Sequence, residues 1–200
     1  MSSQRPPRIN LLRLGIRSVA MESLLRAVPR DVDLLESPSS ARAAAGDFQR
    51  PLVIDGAVSP AAAATGLRQL GVVELLAERI EIGAALLVSG EAAVAMAAGR
   101  LDGGVRGLGL VPAQLNRTLK LSGGGVRPIS GSETERAWFG HEYLFVSGDK
   151  NWSSGDALTG LLKQGRLRVC AFDPARSAGF GRAFVADWIA TCAPSREEAA

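Results

Sequence analysis

Cysteine is nearly absent from this chain. Its 200 residues hold two, Cys170 and Cys192. Two are too few for a disulfide framework and their spacing fits no metal site, so both read as reduced, buried thiols of a cytoplasmic protein. Aromatics are scarce through the first two-thirds: all three Trp and the only Tyr follow residue 137, a compositional shift that suggests a boundary. No stretch of about 18 uncharged apolar residues occurs, which excludes a membrane-spanning helix. Residues 1–7 are polar and no apolar h-region follows, so no secretory leader is expected. Lysine clusters with interleaved aromatics are also missing. Arg5, Arg8, Arg13, Arg17, Arg26 and Arg30 crowd the first thirty residues with Glu22 as the only acid. That reads as a solvated segment and helix face, and nucleic acid is not favoured as a partner.

What is present is an alternation of apolar runs and helical stripes. Pro51-Leu52-Val53-Ile54 runs into Asp55-Gly56, the signature of a central strand buried on both faces with a carboxylate at its C-terminal end. Around it, strands are expected at 9–14, 32–35, 84–88 and 105–111. Helices are expected at 17–28, 41–46, 61–70, 91–99 and 113–121, while residues 72–79 fit either state. Ser59-Pro60 supplies an N-cap and a first-turn proline for the 61–70 helix. This order predicts an α/β fold with a five-stranded parallel, doubly wound sheet over residues 8–122. A disordered leader (1–7) precedes it. A Gly-rich linker (123–131), a small α+β extension (132–194) and a frayed tail (195–200) follow. In the extension, strands are expected at 142–146 and 167–172, and helices at 156–164 and 178–192.

Residues 8–121 resemble the receiver domain of two-component response regulators. The stretch 45–55 is similar to the approach to that family's third strand, 86–92 to its fourth, and 105–112 to its fifth with the following Pro. The resemblance places Asp55 at the phospho-acceptor position and Ser89 at the switch position. It also shows departures: Arg13, Leu14 and Gly15 stand where the family has its Mg²⁺-binding acidic pair, and Val111 stands in place of its Lys. A carboxylate without those partners is a poor divalent-ion site, so a receiver-like domain that works without phosphorylation is implied, with no metal and no cofactor. Residues 51–112 also resemble a bacterial microcompartment shell domain, which implies a cyclic oligomer.

Other residues carry weaker chemistry. His141 is the only histidine; next to the Glu142 carboxylate it could supply a general base, with Cys170 as its nucleophile, but no spacing joins them and a surface or strand-edge position is expected. Ser122-Gly-Gly-Gly-Val126 follows a helix and lacks Lys-Ser/Thr, so it is not a phosphate-binding loop. Asp149, Asn151 and Asp156 miss calcium-loop spacing. Phe180, Phe184 and Trp188 form a stripe on the last helix, either core or an interaction surface for another subunit. The expected function is a non-catalytic signalling adaptor that binds a protein partner and associates with itself. A shell-like assembly protein is the alternative.

Overall fold

The computed structural model describes residues 8–15, 19–28, 32–35, 38–101, 104–117, 124–129, 135–147, 152 and 158–192. The expected leader and tail, the calcium-loop candidates Asp149, Asn151 and Asp156, and residues 123, 130 and 131 of the expected Gly-rich linker lie outside them, while residues 125–128 of that linker form a strand.

A six-stranded sheet forms the centre. Its strands are β1 (Ile9–Arg13), β2 (Val32–Leu35), β3 (Leu52–Asp55), β4 (Leu86–Ser89), β9 (Leu161–Gln164) and β10 (Leu167–Cys170), in the order β2-β1-β3-β4-β10-β9. The first five in that order run parallel, and β9 closes the edge antiparallel to β10. β3 and β4 are buried at every position, as their unbroken apolar runs require. The helices are α1 (Val19–Ala27), α2 (Pro38–Gly46), α3 (Pro60–Gln69), α4 (Val73–Glu81), α5 (Gly90–Ala97) and α6 (Ala178–Cys192). α2 packs on α4 and α3 on α5. The buried faces of α2 and α5 are rich in alanine, which lets the backbones approach closely. All of α5 except Glu91 is buried. The Ser59 hydroxyl accepts from the Ala62 N–H at 3.2 Å with Pro60 in the first turn, the expected cap. Among the described residues no helix is long and apolar enough to cross a membrane.

The α/β architecture is as expected, but the membership of the sheet is not. Residues 105–111 do not supply its fifth parallel strand. They fold back along the C-terminal end of α5, where the N–H groups of Leu108, Gly109 and Leu110 donate to the carbonyls of Ala95, Ala98 and Met96. Gly107 permits this approach, since a Cβ there would lie 2.0 Å from the Ala98 oxygen. The fifth parallel strand is instead β10, from beyond the expected division at residue 122. Residues 113–117, expected as a helix, form β5 (Ala113–Arg117), which pairs antiparallel with β8 (Tyr143–Ser147). β6 (Gly125–Pro128) and β7 (Arg136–Phe139) make a second ribbon. The leucines at 158, 161 and 162 fit a helical stripe, yet residues 161–164 are β9. The Gly165–Arg166 turn delivers them to the open edge of β10, and pairing there outweighs helix propensity. Residues 72–79 resolve as helix α4.

One buried cation ties these pieces together. Arg79 on α4 is fully buried, and its guanidinium donates to five backbone carbonyls: Ala44, Ala45, Asp47, Arg50 and Ala85, at 2.5–3.3 Å. Its guanidinium also lies 5.6 Å from the Phe48 ring centroid. Burial lowers its pKa to about 10, which leaves it charged at neutrality. Replacing it with an apolar side chain removes all five bonds, and of the five carbonyls Ala44, Asp47 and Ala85 keep a backbone N–H donor. Arg79→Met is expected to lower the unfolding free energy by about 3–5 kcal/mol, and Arg79→Lys, with three donors, by less. Urea titration followed by circular dichroism checks the ranking; equal stability of the three proteins would overturn the assignment.

Candidate functional site

Three strand ends meet at the carboxyl edge of the sheet, where open α/β folds bind ligands. β3 delivers Asp55, β4 delivers Ser89, and β10 leads through Cys170 to Asp173. The Ser89 hydroxyl donates to Asp55 Oδ1. Asp55 is 7 % exposed and Ser89 is fully buried. The Cys170 thiol donates to the Val88 carbonyl at 3.2 Å.

Backbone conformations around these residues are unusual. Gly56 and Ala57, immediately after β3, have φ of 96° and 84°, and Gly90, immediately after β4, has φ of 57°. For Ala57 this is a strained region costing about 1–3 kcal/mol, of the kind that gathers at functional sites. Gly90 makes a sharp strand-to-helix elbow, pinned by its N–H donating to the Phe172 carbonyl at 3.1 Å. A Cβ on Gly90 would meet nothing within 4 Å. In α/β enzymes an elbow of this form presents a nucleophilic side chain. Here the position has none. Ser89 does not cap α5, as its place before a Glu-led helix predicts; its hydroxyl serves Asp55 instead.

β7 and the residues after it lie beside the elbow. Trp138 and Asp173 form a bridge, with the Asp173 N–H donating to the Trp138 carbonyl at 2.8 Å. Asp173 Oδ1 accepts from the N–H groups of Ala175 and Arg176 and caps a 3-10 turn at Pro174–Arg176. The Arg176 guanidinium carbon stacks 3.3 Å from the Trp138 ring centroid. Glu91 reaches Gly140, where a Cβ would lie 3.1 Å from its carboxylate. His141 Nδ1 accepts from the Tyr143 N–H at 3.2 Å, which leaves the ring proton on Nε2. Nε2 is buried without a hydrogen-bond partner among the described residues.

The electrostatics follow from burial. Asp55 is raised to about 7, first by desolvation and then by Asp173 and Glu91, against the hydrogen bonds from Ser89 and Gly56. Burial pushes His141 down to about 4, although the carbonyls of Gly90 and Ala171 pull the other way. Burial raises the Asp173 carboxyl and pushes the Cys170 thiol well above its ordinary value. No cluster of three or more His, Cys, Asp or Glu among the described residues is arranged to hold a metal ion.

Asp55 and Ser89 are thus joined, as two residues singled out in the sequence. His141 lies near the same elbow, half-buried in the connection between β7 and β8, in keeping with the strand-edge alternative. Glu142 does not orient it: that carboxylate pairs with Arg117 at 2.7 Å. Cys170 is enclosed and poorly ionised, so His141, Glu142 and Cys170 form no base–acid–nucleophile set, in keeping with the absence of any spacing that joins them. The stripe on α6 belongs to the core: Trp188 is fully buried, Phe184 nearly so, and Phe180 stacks on Phe184 while meeting Phe172 edge-on. Sequence reasoning missed Gly90, Ala57 and Asp173. The Asp173-Pro174 pair is a recognisable turn signal, and a Gly directly after a buried apolar run is a recognisable elbow signal. Nothing local betrays the strain at Ala57.

No family model and no curated protein sequence matches the chain. Solved structures do. A glutamine amidotransferase superposes with a TM-score of 0.68 at 15% identity, over 92% of this chain and 98% of that one. The fold is that of the glutamine amidotransferases. A candidate GMP synthase subunit from Thermoplasma acidophilum superposes at 0.63 and 14% identity, covering 98% of both chains. A glutamine amidotransferase from Thermotoga maritima gives 0.50 at 15% identity, over 92% of this chain and 83% of that one. These matches overturn the receiver and shell-domain resemblances, and with them the signalling-adaptor and shell-assembly functions. The alternation of residues 8–100 is common to several doubly wound folds. What separates them is the fifth strand, which here comes from 167–170 and not from 105–111.

Asp55 and His141 act on stability in opposite directions. The Asp55 carboxyl is raised from 3.8 to about 7 on folding, so its contribution is complete below pH 4 and is lost as pH rises to 7. His141 is lowered from 6.5 to about 4, so its contribution grows as pH rises from 4 to 6.5. Each slope is about 1.4 kcal/mol per pH unit, and between pH 4 and 6.5 they offset. Asp55→Asn is expected to become more stable as pH rises through this window, and His141→Asn less stable, while the parent stays nearly flat. Urea unfolding at pH 4.5, 5.5 and 6.5 reads the three slopes. Parallel slopes in all three proteins would refute the opposed pair.

Proposed function

We propose that the chain serves as an amidotransferase-type subunit of a larger enzyme. In this reading a small amide-bearing ligand, glutamine in the first instance, sits over the Gly90 elbow and is held there without a covalent intermediate at that position. The observation that carries it is the elbow itself: a sharp positive-φ strand-to-helix turn with open space above it and no side chain to attack a carbonyl. The two nucleophilic side chains nearby do not substitute. The Ser89 hydroxyl is spent on Asp55, and the Cys170 thiol is enclosed and held protonated. The glutamine amidotransferase fold and the full-length likeness to a synthase component support the reading.

The purified chain is expected to bind L-glutamine saturably by calorimetry while releasing ammonia no faster than a blank. A chloroketone analogue of glutamine is expected to leave its mass unchanged. Gly90→Cys, whose side chain has room and costs about 1–2 kcal/mol of backbone strain, is expected to become alkylated at residue 90. Ammonia release by the parent chain, or absence of glutamine binding, would overturn the proposal.

A further inference from the structure

His141 is the only histidine in the chain. It stands in the corner between β7 and β8, against the first turn of α5. The corner is seated closely there: a Cβ on Gly140 would lie 3.1 Å from the Glu91 carboxylate and 3.0 Å from the Trp138 ring. The strand that leads into it is fixed to the turn that follows β10. The Asp173 N–H donates to the Trp138 carbonyl at 2.8 Å, and the Trp138 N–H donates to the Ser177 hydroxyl at 2.9 Å. That hydroxyl in turn donates to the Asp173 carbonyl at 2.6 Å.

Within this frame the ring has one tautomer. Nδ1 accepts from the Tyr143 N–H at 3.2 Å, so the proton is on Nε2. Besides its own, the backbone carbonyls that act on the ring are those of Gly90 and Ala171. Each belongs to the residue directly after its strand, Gly90 after β4 and Ala171 after β10. The ring N–H is buried, yet it completes no hydrogen bond of normal geometry among the described residues. A buried donor left unmade is costly, and a carbonyl at a helix start keeps a second lone pair that can take it. Hydrogen bonds of functional sites are often long in the free protein and tighten in the complex. The Gly90 N–H is already held by the Phe172 carbonyl at 3.1 Å. A bond to the Gly90 carbonyl would therefore fix the elbow residue at both of its backbone polar groups. We propose, on the reading that an amide seats over Gly90, that His141 is a positioning residue: its Nε2–H closes onto the Gly90 carbonyl when the ligand binds and holds the elbow in its ligand-bearing shape. The ring acts as a fixed donor and transfers no proton. Burial keeps it neutral at physiological pH, with a pKa lowered to about 4.

A single histidine gives an unambiguous spectroscopic signal. The full chain, labelled with ¹⁵N in histidine, is followed by long-range ¹H–¹⁵N correlation at pH 7, without and with saturating L-glutamine. The Nε2–H tautomer is expected in both states. The ring N–H is expected to exchange with water at least about tenfold more slowly in the bound protein, the effect of one ordinary hydrogen bond. Calorimetry is expected to show glutamine binding weakened about tenfold in His141→Leu, which removes the donor, and less than about threefold in His141→Gln, which keeps an N–H. Circular dichroism checks that both variants are folded, and the ring signal of the parent decides the matter if His141→Leu is not. Glutamine binding by the parent with unchanged ring N–H exchange, a proton on Nδ1, or equal affinity in the parent and a folded His141→Leu would overturn the role of His141 and leave the amide site standing. Absence of glutamine binding by the parent would overturn the amide site and this role with it.

Discussion

The guanidinium of Arg79 fixes the frame on which everything else rests. It reaches from α4 into the end of α2, the turn that leads into β3 and the residue just before β4. Those two strands carry Asp55 and Ser89 and end at the Gly56–Ala57 and Gly90 turns. A strained loop persists only when its surroundings over-determine it. The saturated cation supplies that rigidity at the opposite end of the strands from the site. The arrangement is costly to lose and leaves the carboxyl edge free to hold unusual conformations.

At that edge the chain joins features that rarely coexist without a role. A carboxyl held near neutrality, an imidazole held neutral and a positive-φ elbow with vacant space converge where the sheet's strands end. Yet the hydroxyl and thiol that could attack a carbonyl there are enclosed or bonded elsewhere. In the proposed reading this edge serves recognition, and its acid–base groups tune its polarity.

Much of this was legible in the residues. The buried runs at 52–55 and 86–89, the Ser59-Pro60 cap and the stripe of α1 belong to local pattern, and they report local structure. Asp55 stood out because ligands of open α/β sheets gather at the carboxyl ends of the strands. Two things were not legible. Leu167–Cys170 reads as a strand, but no local feature says that it joins β4 across a long insertion; only the open edge of β4 requires it. Val105–Val111 has strand composition but is needed to satisfy the last carbonyls of α5, a demand that arises only once that helix is placed. His141 shows the same limit, since its neighbours Gly90 and Ala171 come from distant parts of the chain.

The late arrival of β10 has a consequence for how the molecule is made. Until residue 167 has been synthesised, β4 is the exposed margin of a parallel sheet, with its outer ladder groups unpaired and its side chains apolar up to Ser89. Long-range parallel pairing is slow, and a flat apolar margin invites pairing with other chains. The nascent protein therefore passes through a vulnerable interval, one that ends only when the β9–β10 hairpin zips onto β4 and Gly90 is tethered to Phe172. The elbow acquires its shape in that closing step, so the site and the completed sheet are a single folding event.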